Sequence, residues 1–264
     1  MANFLQRYEA GEHNVWNEMV CSAPEIFKNE ELMTEATAVA RAIMKRVQLN
    51  ASAVRQTLKN ARANPGPGAA PQTDEDLSIF TKRFGPLPLS LDVFYRTVGS
   101  IELTPVDYDY GDNELESRYG IELITLDPLL IEPANSLGWM VDDYDAQIAE
   151  DEEADNPLQF GLCPDFLHKA DISGGTPYFV DIPAFSAEDK LDPLVNFDDM
   201  DPMPLVEYFR YCFRWGGFPG LAVMELEDRE IDLNRKMPFT NAKGDWRKAA
   251  QGLLAELRTG LIAF

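Results

Sequence analysis

A thiol and an imidazole five residues apart, in Cys163-Pro164-Asp165-Phe166-Leu167-His168, come nearest in this chain to the pattern of nucleophilic catalysis. A thiolate forms at neutral pH only beside a base or in an electropositive surrounding. The other histidine, His13, lies in a polar N-terminal stretch, so Cys163 with His168 is the enzymatic alternative, a cysteine-dependent hydrolase. The background charge opposes it. Against 23 basic residues stand 45 acidic ones, a net of −22, and negative surroundings raise a thiol's pKa. Cys163 is expected to be a small, inert hydrophobe, and the chain is expected not to be an enzyme.

Carboxylates are the abundant reactive group. Asp107, Asp109, Asp112, Glu114 and Glu116 alternate in a way that could gather oxygen ligands. An EF-hand loop starting at Asp107 would require Gly and Glu where the chain has Asp112 and Arg118. Asp142-Asp143-Tyr144-Asp145 and Glu150-Asp151-Glu152-Glu153 read as a solvated acidic loop, with an acidic-loop metal or ligand sensor as the alternative. No CxxC or HxxxH pair offers a zinc site. Gly174-Gly175 and Gly216-Gly217 lack the spacing of a phosphate-cradling loop. Neither a metal nor a cofactor is expected.

The charge is concentrated. Residues 1–63 carry a net of +1, whereas Ile101 to Asp155 hold 17 acidic residues against Arg118 alone. Such a segment repels phosphate backbones and anionic lipids, which argues against nucleic acid and membrane, and attracts a basic protein. Aromatics interleaved with the acids would supply desolvated anchors. The expected partner-binding residues are Asp107, Asp109, Asp112, Glu114, Trp139, Asp142, Asp143, Tyr144 and Asp145, beside Tyr108 and Tyr110. No apolar run reaches the ~20 residues of a membrane span. The opening residues lack a signal-peptide pattern, and three scattered cysteines suit a reducing cytoplasm.

These residues need elements to position them. From Glu31 to Arg62, Leu32, Ala36, Val39, Ile43, Val47, Val54 and Leu58 recur at helical spacing, and Asn50 as an N-cap predicts a break into a helical hairpin. Val39, Ile43, Val47 and Val54 form a stripe too narrow for an independent core, so they are expected to pack on the larger domain. Asn64 to Pro71, with three prolines and two glycines, reads as a linker. Ser90 is placed to cap a helix bearing Leu91, Phe94, Tyr95 and Val98, ended by Gly99. Gly120 to Leu126 and Pro177 to Ile182 read as strands. Pro204 opens a helix through Phe213, and Asp245 caps a last one through Leu257. Tyr208, Phe209, Tyr211, Phe213, Trp215 and Phe218 allow two readings, a helix sandwiched between layers or an exposed aromatic patch.

The run Gly85-Pro86-Leu87-Pro88-Leu89-Ser90-Leu91-Asp92-Val93-Phe94-Tyr95-Arg96-Thr97-Val98-Gly99 resembles the opening helix signature of the SUKH superfamily. Ile172-Ser173-Gly174-Gly175-Thr176-Pro177-Tyr178-Phe179-Val180-Asp181-Ile182 is similar to that family's glycine-rich turn leading into a tyrosine-containing strand. The resemblance covers roughly residues 76–220. It departs from the pattern in the N-terminal helices, in Ser100 at the customary second glycine, and in the acidic insertion. It implies an α+β fold with a central, largely antiparallel sheet flanked by helices, used as a non-catalytic protein-binding scaffold. Bacterial members serve as immunity proteins against toxins, often nucleases, and a fungal relative regulates cell-wall synthesis. The organisation expected is a helical region over 1–63, a linker over 64–75 and a SUKH-like domain over 76–264, with a basic toxin as partner.

Overall fold

The structure, a computed structural model, describes residues 3–105, 113–150, 157–162, 178–184, 186–197, 201–227 and 239–264. Three short helices, α1 (Phe4–Glu9), α2 (Val15–Cys21) and α3 (Ala23–Ile26), lead into α4 (Glu30–Asn60). Then come α5 (Asp74–Phe84), α6 (Leu89–Thr97), α7 (Glu114–Tyr119) and α8 (Gly138–Glu150). The later helices are α9 (Ala187–Leu191), α10 (Leu205–Arg214) and a C-terminal helix, Trp246–Leu257. Two small antiparallel sheets complete an α+β fold, as expected. One pairs β1 (Ile101–Glu102) with β2 (Leu130–Ile131). The other comprises β3 (Leu158–Gly161), β4 (Phe179–Ile182), β5 (Leu194–Asn196) and β6 (Met203–Pro204), in that order and antiparallel throughout.

The long helix α4 is the hub, packing against α1, α2, α3, α6, α10 and the C-terminal helix. Asn29 caps it by accepting the N–H groups of Glu31 and Leu32 through its side chain, and Glu30 and Glu31 place negative charge on its first turn. Val39, Ile43, Val47 and Val54 are all fully buried in the common core. Each such side chain stabilises by about 1.5–3 kcal/mol on leaving water. This stripe, more than intrinsic propensity, holds the rod in place. The break expected at Asn50 does not occur: α4 runs through it, because the buried Asn50 amide is engaged with the chain backbone at Ile262 and caps nothing.

The proline- and glycine-rich stretch after α4 is tied down along its length. Pro65 bridges to Pro105, the Ala69 N–H donates to Ser100 Oγ (2.6 Å), and the Gln72 N–H donates to the Tyr95 carbonyl (2.8 Å). Two further expectations are corrected. Pro88, not Ser90, is the N-cap of α6, and the Ser90 hydroxyl is buried and donates to Asp192. Gly120 to Leu126 is not a strand: Gly120 ends α7 in the left-handed conformation and Leu123–Leu126 form a 3₁₀ turn. The Leu123 N–H finds its acceptor in the Glu116 side chain (2.8 Å), leaving no strand ladder to join.

Pro204 is the N-cap of α10, and Asp245 caps the C-terminal helix. Tyr208, Phe209, Phe213, Trp215 and Phe218 are buried, with Phe209 stacked on Phe94 at 5.4 Å, so the sandwiched reading holds. Cys212 is buried and Cys21 exposed. No helix among the described residues is long and apolar enough to cross a membrane.

Candidate protein-binding face

Asp142 to Asp145 lie not on the expected loop but on helix α8, which carries most of the predicted contact residues that the structure describes. Its buried side, led by Val141, faces α5, β3 and the short turn Ala134–Ser136. Two clamps hold it there. At its start, the Asn135 side-chain amide donates to Asp76 Oδ1 (3.1 Å), in the first turn of α5. The Thr73 backbone N–H, the Thr73 hydroxyl and Asn135 together hold the Asp76 carboxyl below the usual carboxylate range. Midway along α8, Arg83 at the end of α5 donates through Nε to Asp145 Oδ1 (2.8 Å). The Arg83 guanidinium also lies over the Tyr144 ring, while Phe84 meets that ring edge-on at 5.3 Å.

These contacts divide the predicted residues. Tyr144 and Asp145 are turned toward α5, where they fix the helix and where Arg83 offsets one charge. Trp139, Asp142 and Asp143 point outward. Residues three and four apart share a helix face, so Asp142 and Asp143 flank the indole of Trp139. Trp139 is 61% exposed, the most exposed large hydrophobic side chain among the described residues. The Gln147 amide donates to Asp143 Oδ2 (2.9 Å) and orients that carboxylate. The face is thus an aromatic ring beside two carboxylates on an anchored helix, suited to a cationic, partly apolar partner surface.

Glu114 belongs to a different element. It is exposed at the start of α7, where its backbone N–H donates to the Ala61 carbonyl and its carboxylate lies 3.6 Å from Arg62. Asp107, Asp109 and Asp112, with Tyr108 and Tyr110, lie outside the described residues, as do Cys163 and His168. Among the described residues no three His, Cys, Asp or Glu side chains are grouped as metal ligands. Arg83 and Phe84 were missed as site residues. Their signal was a basic and aromatic pair closing a helix, the complement of an acidic helix that must dock somewhere. No protein-family model, curated protein or solved structure matches this chain.

Proposed function

We propose that this chain is a non-catalytic protein-binding module, an immunity protein of SUKH type that neutralises a basic, nuclease-type toxin in the bacterial cytoplasm. The observation that carries this reading is the exposed Trp139 aligned with Asp142 and Asp143 on a helix clamped by Arg83. Leaving a tryptophan in water forgoes a few kcal/mol of burial, and aromatic anchors of this kind dominate protein interfaces. Nucleases present Lys and Arg to phosphates. A surface bearing carboxylates at helical spacing competes for the same cations and speeds encounter.

The test is association with a basic nuclease toxin encoded beside this chain's gene, measured at several ionic strengths. Replacing Asp142 and Asp143 by Asn should slow association severalfold at low salt and flatten its salt dependence, and Trp139→Ala should mainly speed dissociation. An association rate indifferent to both salt and the paired Asn change would reject the reading.

A further inference from the structure

Asp192, directly after α9, is 1% exposed and joins three elements that are distant in sequence. Its Oδ2 accepts the indole N–H of Trp16 on α2 (2.7 Å). Its Oδ1 accepts the hydroxyl of Ser90 on α6 (2.6 Å). The backbone N–H of Val206, in the first turn of α10, reaches both oxygens at 3.3 and 3.4 Å. Pro204 offers α10 no side-chain cap, and Asp192 fills that place from outside the helix.

No cation among the described residues forms an ion pair with this carboxylate. On α10, Arg210 is the charge whose field reaches it, but that guanidinium is committed to Glu207, the His13 carbonyl and the Phe264 carbonyl. The charged groups on α6, Asp92 and Arg96, pair with each other, and Glu18 on α2 is held by Arg7. On α9, Asp189 is turned to the Ser186 cap, while Glu188 and Lys190 are exposed. Burial opposes the charged form and the three donors favour it. Burial prevails, pushing the Asp192 carboxyl up to about 7 from its usual 3.8.

We propose that Asp192 is a proton-operated latch: its ionisation strengthens each donor bond but leaves a buried charge without a counter-ion, which favours undocking of helices α1 to α3 from the rest of the chain. Protonated, the carboxyl is a neutral hydrogen-bonding group in an apolar junction. Ionised, it is a buried charge without a counter-ion, a state relieved when the junction opens to water. The N-terminal helices should therefore open more often above neutral pH than below it. His13 titrates nearby, but burial first, then Arg46 and Arg210, lower its pKa, which separates its transition from that of Asp192.

The experiment follows the Trp16 indole N–H of the full chain by NMR from pH 5.5 to 8.5, with Trp16→Phe assigning the signal. A single transition near pH 7 is expected, retained in His13→Gln and abolished in Asp192→Asn. Ser90→Ala, which removes one donor to the anion, should move the midpoint upward. Amide exchange in α2, corrected for intrinsic rates, should be faster at pH 8.5 than at pH 6. A Trp16 signal flat across the range, a transition persisting in Asp192→Asn, or equal corrected exchange at the two pH values overturns the proposal. Should Asp192→Asn fail to fold, an unmoved midpoint in Ser90→Ala overturns it instead.

Discussion

Asn50 and Ile262 exchange two hydrogen bonds across 212 positions of sequence, the Asn50 amide donating to the Ile262 carbonyl (2.9 Å) and the Ile262 N–H donating to Asn50 Oδ1 (2.8 Å). A side chain in mid-helix thereby acts as one rung of a ladder for the segment around Ile262. Arg46 and Arg210 add bonds to the Ala263 and Phe264 carbonyls, and the Phe264 ring meets Phe213 at 6.0 Å. Asn50→Ala removes both rungs, and its higher helix propensity offsets only a fraction of that loss. It should cost about 2 kcal/mol, read as a lower urea midpoint with an unchanged slope. An unaltered midpoint would show that the tail contributes nothing to stability.

Gly85 and Gly99 share a positive φ, +83° and +88°, in different surroundings. A Cβ at Gly85 would meet nothing within 4 Å, whereas one at Gly99 would lie 2.1 Å from the Ala70 carbonyl oxygen. Gly85→Ala should therefore cost only the backbone strain of a conformation essentially confined to glycine, on the order of 1–3 kcal/mol. Gly99→Ala must also displace the strap over residues 64–71 and should cost clearly more. Equal losses in denaturant titration would contradict the close approach.

Stability should fall as pH rises from about 4 to 7. The Asp192 carboxyl is raised in the folded state to about 7 from 3.8, so its contribution is complete below pH 3.8 and gone once pH passes 7. The full span is on the order of 4 kcal/mol. Relief of self-repulsion among the other acids acts in the same direction, so the distinguishing measurement is the slope of unfolding free energy between pH 5 and 8. That slope should be shallower in Asp192→Asn than in the parent chain, and identical slopes would exclude the effect.

Trp139 and Trp16 should behave oppositely. Trp139→Ala, on the exposed face of α8, should change stability by less than about 0.5 kcal/mol. Trp16→Ala empties a fully buried site and orphans a donor's acceptor, at a cost of about 3–5 kcal/mol. A strongly destabilised Trp139→Ala protein would assign that ring to packing and remove it from the binding face.

What could be read before folding depended on whether a residue's partner was near in sequence. The α4 stripe was legible because Val39 to Leu58 repeat on one face, whereas Trp139, Asp142 and Asp143 were legible only as an aromatic among acids in a loop, because the apolar side of α8 is too sparse to announce a helix. Asn50 and Ser90 were misread as caps because their amide and hydroxyl suit that role locally, while their partners lie 212 and 102 residues away. Gly120 to Leu126 has the apolar content of a strand, and its turn is held by Glu116 accepting from the Leu123 N–H and by Thr125 donating to the Glu122 carbonyl. The pairing of Asp145 with Arg83, 62 positions earlier, gave no sign in the sequence. Asp192 carried no mark at all among 45 acids.

The place of α4 in the chain bears on synthesis. Its first neighbours, α1 to α3, leave the ribosome before it, so that corner can close early. The Asn50 amide in its middle turn lacks its protein partner until residue 262 is translated. The growing polypeptide thus carries a docked N-terminal corner, and closure around Asn50 awaits residue 262. Nascent chains arrested before residue 262 should accordingly be protease-sensitive where the released protein resists.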